Sequence, residues 1–179
     1  MKLRILGISI AAALAAAAAL PASAQQVGTG KVNFEGTLIP DTCKVAPASE
    51  DQTVLLPTVS TQSLITEGDT AGSRAFEIDV IECPDTIDEV QAHFEITNME
   101  PKYRTLKNLE STGAQNVTVQ LLEADGTPIQ AGSAGTAFPV TGAGATRGAT
   151  LVYGGQYFSL GGATSGVVKT FAEFTLAYP

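Results

Sequence analysis

The stretch that decides the reading is Gly166-Val167-Val168-Lys169-Thr170-Phe171-Ala172-Glu173-Phe174-Thr175-Leu176-Ala177-Tyr178-Pro179. Its even-numbered side chains Val168, Ala172, Phe174, Leu176 and Tyr178 make an apolar stripe, and a repeat of two is that of a strand with one face buried. Periodicity alone makes this the last strand of any β-sandwich. Position adds a constraint, because Gly166 is the fourteenth residue from the end and Tyr178 the penultimate one.

Working back along the chain, Ala75–Val80 alternates cleanly, with Phe76, Ile78 and Val80 on one face and Glu77 and Asp79 on the other, and leads into Cys83-Pro84. It reads as a core strand. Val117–Leu122 is strand again, followed by an Asp125-Gly126 hairpin turn with Pro128 and Ile129 on the return. Val90–Thr97 alternates less well and places Ala92, Phe94 and Ile96 inward, while Gln52–Val59 is a weaker candidate that Pro57 limits to an edge or a strand end. Residues 98–113 are polar and irregular apart from a candidate helical turn at Tyr103–Leu109. Leu151–Tyr153 and Tyr157–Leu160 read as short strands about a Gly154-Gly155 turn. The spacing suits a β-sandwich, with no fixed-period repeat and no linker dividing the chain.

The front of the chain reads as an export signal: Lys2 and Arg4, then the apolar run Ile5–Leu20, then Ala22-Ser23-Ala24 for cleavage. The run is short for a membrane span and Pro21 interrupts it, so cleavage after Ala24 is the expectation. The remaining chain, about 155 residues, fits one domain with a real core. The net charge is −8, and cleavage removes two cations, which argues against nucleic acid or anionic lipid as partners. The absence of Trp, the two Met, and the Gly, Thr, Val and Ala content without helix-period runs place the exported part among mostly β proteins. Its two cysteines, Cys43 and Cys83, both lie in that part, where an oxidising compartment would join them. Metal ligation by the pair lacks support, since zinc wants four N or S ligands and His93 is the single histidine.

Catalytic chemistry finds few candidates. His93 sits in an alternating strand and no Gly-x-Ser-x-Gly elbow is present. Glu77, Asp79, Glu82, Asp85, Asp88 and Glu89 lack calcium-loop spacing and read as a solvated face. Residues 142–148 read as a surface loop and not a nucleotide loop, and Asn116-Val117-Thr118 is a short glycosylation match of a kind common by chance.

The C-terminal pattern, a Gly fourteen from the end followed by alternating apolar residues and a penultimate Tyr, resembles that of chaperone-usher pilins of the type 1 fimbrial family. At the front, Gly30-Lys31-Val32-Asn33-Phe34-Glu35-Gly36 with Leu38-Ile39 and Cys43 is similar to the entry strand of those subunits, read here as a strand from Val32 that Pro40-Asp41 ends. Cys83 falls about forty residues after Cys43, where the family has its second cysteine. The resemblance covers the exported chain end to end, with its specific motifs at the two ends and the bridge. Residues 98–150 carry only compatible strands. An arm of seven residues before Val32 is short for the family, and Pro179 is a departure from the motif.

The resemblance implies an all-β fold: an incomplete immunoglobulin-like sandwich that lacks its last strand and carries one disulfide, over residues 32–179. It implies that Gly166, Val168, Ala172, Phe174, Leu176 and Tyr178 line an open groove or its chaperone-paired edge, and that residues 25–35 form a donor-strand arm through Val27, Gly28, Gly30, Val32 and Phe34. Without a partner, residues 25–31 have nothing to fix them locally. Gly30 is either a place where a neighbour's groove narrows or an ordinary hinge. The partners implied are neighbouring pilin subunits, a periplasmic chaperone and an outer-membrane usher, and the destination is the cell-surface fimbrium. No cofactor and no reaction are implied. The other reading is a minor adaptor or tip adhesin with carbohydrate-binding activity, for which the exported length leaves no room for an added receptor domain.

Overall fold

Strand-forming stretches of alternating burial set the architecture, which a computed structural model describes for residues 30–38 and 42–179. The export signal (1–24), Val27 and Gly28 of the arm, and Ile39-Pro40-Asp41 lie outside the described residues. The chain separates into two units, Met1–Thr37 and Leu38–Pro179. In the first, residues 30–37 form no strand, and Val32 and Phe34 are 74% and 91% exposed. The strand expected from Val32 is therefore corrected: alternation shows which side chains want burial, but a strand exists only where another edge accepts its main-chain bonds.

The second unit begins with β1 (Lys44–Val45) and a short helix, α1 (Pro47–Glu50). There follow β2 (Thr70–Ile81), β3 (Glu89–Phe94), β4 (Leu106–Lys107) and β5 (Val117–Glu123). The last four are β6 (Pro128–Ile129), β7 (Phe138–Pro139), β8 (Ala149–Ser159) and β9 (Phe174–Ala177). One sheet runs β1-β2-β8-β5-β4 with β6 on β5, and the other runs β7-β3-β9. Every pairing is antiparallel.

The inner faces meet where the sequence placed them. Ile78 and Val80 of β2, Leu151 and Tyr153 of β8 and Leu121 of β5 pack against Val90, Ala92 and Phe94 of β3. Tyr153 stands at the centre, edge-on to Phe94 and Phe138 at 5.2 and 5.7 Å. Its buried hydroxyl accepts from the Ala92 N–H at 3.1 Å and donates to the Thr136 carbonyl at 3.0 Å, so burial leaves no polar atom unpaired. Cys43 and Cys83 are bonded across 40 residues, both buried. Glu77, Asp79, Glu82, Asp85, Asp88 and Glu89 are all exposed.

Four further expectations are overturned. Gln52–Val59 is no strand: Pro57 lacks an N–H, and among the described residues the main chain of 53–59 makes no hydrogen bond. Ile96 is 59% exposed because β3 ends at Phe94 and the chain turns, with the Met99 N–H donating to the Ile96 carbonyl. The candidate helical turn at Tyr103–Leu109 is instead a turn at 101–103 followed by β4. Gly154-Gly155 is no turn but the middle of the eleven-residue β8, flanked by Arg74-Ala75 of β2 and Leu121-Leu122 of β5. A Cβ on Gly154 would lie 3.3 Å from the Arg74 carbonyl oxygen, so the missing side chain serves close approach in a central strand.

Candidate functional site

At the end of the chain the quoted stretch bends at Gly166, runs without further turn or bend from Val167, and becomes β9 at Phe174. The odd-numbered residues turn their main chain toward the fold. β9 pairs with β3 in the register Gln91↔Ala177 and His93↔Thr175, and the Glu95 N–H donates to the Glu173 carbonyl at 2.8 Å. Alternation of an antiparallel ladder then directs the N–H and C=O of Phe174 and Leu176 away from β3. On that side β9 has no neighbour among the described residues, because it is the outer strand of its sheet. Their side chains, with those of Val168, Ala172 and Tyr178, are only partly buried against the core. Among the described residues this edge is unpaired in its backbone and half-covered in its side chains.

Residues 52–59 form a second wall where they meet the stripe, with Val59 and Val168 packed on one cluster and lining one cleft. The Gln52 side-chain amide donates to the Glu77 carbonyl at 2.7 Å, and Pro57 and Val59 crowd Gly72, so this segment follows the rim of β2 without joining it. Leu56 packs partly against the main core, while Val59 and Val168 pack on a smaller cluster of Leu64, Ala114 and Val117. Where the walls approach, a cleft of about 550 Å³ is lined by Val59, Leu64, Ala114, Val117, Tyr157 and Val168. Burial raises the pKa of the Tyr157 phenol above its ordinary value.

Gly166 has the backbone conformation φ +152°, and a Cβ there would stand 2.4 Å from the Ala114 nitrogen. A Cβ on Gly113 would stand 2.1 Å from the Val167 carbonyl oxygen. Two chain segments thus cross at a separation that only glycines on both sides permit. At the other end the Tyr178 hydroxyl accepts from the Cys43 N–H at 3.1 Å.

The structure therefore brings Gly166, Val168, Ala172, Phe174, Leu176, Tyr178 and the Cys43–Cys83 bridge into one unit. Gly30, Val32 and Phe34 belong to the other unit, and Val27 and Gly28 lie outside the described residues. Two residues that sequence reading passed over, Asn98 and Asn108, hold the stripe from its inner side. Asn98 Nδ2 donates to Thr170 Oγ1 and the Phe171 carbonyl, and Asn108 bonds both Val167 and Lys169. No local signal marks their hold on the stripe, because the stripe residues they bond lie 59 to 73 residues away.

Other sequence candidates carry no site chemistry. His93 is a half-buried ladder residue opposite Thr175, and Thr118 of the glycosylation match is buried with its hydroxyl bonded to Thr105. No group of His, Cys, Asp or Glu among the described residues is arranged to hold a metal ion.

Comparison with known proteins agrees with this geometry. The family model for "Type-1 fimbrial protein, A" matches residues 56–179. The chain is 39% identical to an F17 fimbrial protein of Escherichia coli, over 90% of this chain and 93% of that one. It is 31% identical to the type-1 fimbrial protein A chain of Escherichia coli strain K12, over 99% of this chain and all of the other. Among solved structures, the P pilus rod subunit PapA superposes with a TM-score of 0.60 at 20% identity, over 78% of this chain and all of that one, a likeness of fold. A sandwich with an open terminal strand edge, together with these full-length relatives, makes the chain a member of the type-1 fimbrial protein family, a structural subunit of a cell-surface fimbria and not an enzyme.

Proposed function

We propose that this subunit assembles into its fimbria by strand addition, receiving a segment from another molecule between β9 and residues 52–59. The observation that carries the reading is a half-covered apolar stripe whose strand β9 is unpaired on one side among the described residues, together with a bordering segment, 53–59, whose main chain makes no hydrogen bond among them. An added strand would satisfy the free N–H and C=O groups of Phe174 and Leu176, at a net gain of about 1 kcal/mol per bond, and would cover the stripe with alternate side chains. Left open, such an edge templates aggregation.

The donor is the arm of residues 25–35 of a neighbouring copy, with Val32 and Phe34 as apolar contributors and Gly30 and Gly28 where the groove narrows. Val32 and Phe34 are exposed, as a donor segment requires before docking. Before assembly a periplasmic chaperone lends a strand to the same edge, and an outer-membrane usher passes the subunit to the surface after removal of residues 1–24. Donor and acceptor are different surfaces, so the contact is head to tail and extends without closing. The finished fibre supports adhesion of the cell to surfaces.

Deletion of residues 25–31 is the test. The shortened subunit should fold and bind its chaperone yet give no fibres by electron microscopy of cells carrying the matched chaperone and usher. Fibres of normal length from that variant would show the donor assignment to be wrong.

A further inference from the structure

The groove's C-terminal wall is built in two different ways along its length. From Glu173 onward it is a ladder, ending with the bond from the Glu95 N–H to the Glu173 carbonyl. Before Glu173 there is no neighbouring strand among the described residues, because the chain turns at 96–104. Residues 167–171 nonetheless run without turn or bend, and the main-chain groups of Val167, Lys169 and Phe171 are held largely by two asparagine side chains.

Asn108 does this from both ends of its amide. Its Oδ1 accepts from the Lys169 N–H at 2.9 Å and its Nδ2 donates to the Val167 carbonyl at 3.0 Å. These are the two groups that a main-chain residue of a parallel strand opposite Val168 would engage. The same amide closes its own loop, accepting from the Glu110 N–H at 3.1 Å and donating to the Ala114 carbonyl at 2.8 Å. Asn98, itself buried, donates to the Phe171 carbonyl at 2.9 Å and to Thr170 Oγ1 at 2.8 Å. The Leu109 and Ala114 N–H groups complete the set on the Lys169 and Val167 carbonyls.

We propose that Asn98 and Asn108 are positioning residues that stand in for a missing strand, holding residues 167–171 as an open edge so that a donated strand pairs along the whole segment and not with β9 alone. The proposal rests on the strand-addition reading above. With odd-numbered main-chain groups held by the asparagines, those of Val168, Thr170 and Ala172 face the groove in the same phase as Phe174 and Leu176. Without the clamps this end, which no ladder supports, would fray and donate fewer bonds. Asparagine suits the position because its side chain carries both a carbonyl and an NH₂ group, the equivalent of one peptide unit.

The test is amide hydrogen exchange of the exported chain, disulfide closed, with and without an excess of synthetic peptide of residues 25–37. In the wild type, peptide should slow exchange at Val168, Thr170, Ala172, Phe174 and Leu176. In Asn98→Ala and Asn108→Ala the gain at Val168, Thr170 and Ala172 should fall about tenfold, the worth of one ordinary hydrogen bond, while Phe174 and Leu176 keep theirs. Asn108→Asp keeps the acceptor and loses the donor, and should fall between. An unchanged gain at Val168 and Thr170, or an equal loss from Val168 to Leu176 in both Asn98→Ala and Asn108→Asp, overturns the proposal. If peptide protects none of these amides in the wild type, the strand-addition reading itself fails.

Discussion

The Tyr178 hydroxyl accepts a hydrogen bond from the main-chain N–H of Cys43 at 3.1 Å, so the last aromatic of the C-terminal stripe is fastened to the first half of the disulfide. One residue near each end of the folded unit thus fixes the other, and the ring of Tyr178 packs partly against the main core.

Tyr178→Phe should keep the packing and lose only that bond, at a cost of about 1 kcal/mol in urea unfolding. Tyr178→Ala should cost more, because it also uncovers the core beneath the ring. Equal stability of Tyr178→Phe and wild type would show the hydroxyl to be dispensable.

Reduction of the Cys43–Cys83 bond opens a closure of 40 residues. On the chain-entropy account this removes about 4 kcal/mol. The urea midpoint measured with and without a reductant should therefore drop steeply, and a Cys43→Ala/Cys83→Ala chain should match the reduced protein.

Gly166→Ala should weaken the fold at the crossing with Gly113, since its Cβ would collide with the Ala114 nitrogen. Backbone cannot yield as a flexible side chain does, and a loss of about 1–3 kcal/mol is expected. Gly113→Ala should act similarly through the Val167 carbonyl. Thermal unfolding of the two single variants and the double variant should show clear non-additivity, because both press on one contact.

Tyr153 provides a pH signature. Burial raises its pKa above the ordinary phenol value. A raised folded-state pKa means that the stabilisation is complete below the unfolded value near 10 and is lost as pH rises through the folded one. Alkaline unfolding monitored by circular dichroism should lose part of this steepness in Tyr153→Phe. That variant also strands the Ala92 N–H and the Thr136 carbonyl, at about 1–3 kcal/mol at neutral pH.

Much of this was legible from residue order. Phe76, Ile78 and Val80 alternate with acids, so one face had to be inner, and β2 places Ile78 and Val80 in the core. The Asp125-Gly126 turn and its return through Ile129 followed from turn chemistry, which acts over a few residues. Gly154-Gly155 misled because a glycine pair reads equally as a turn or as a close approach, and only the flanking strands β2 and β5 select the second. Ile96 misled because alternation persists past the point where the partner strand departs.

The sequence by itself determined the periodicity of the C-terminal stripe, the class of fold, and the presence of a glycine at its start and a tyrosine near its end. These are properties of neighbouring residues, and a repeat of two needs no knowledge of what lies opposite. Tertiary structure decided which side of that stripe is paired. β3 and the amides of Asn98 and Asn108 occupy one side, and no strand among the described residues occupies the other. Hydrogen bonds between groups 59 or more residues apart leave no mark on local order, so an open edge becomes visible only when the whole sheet is assembled.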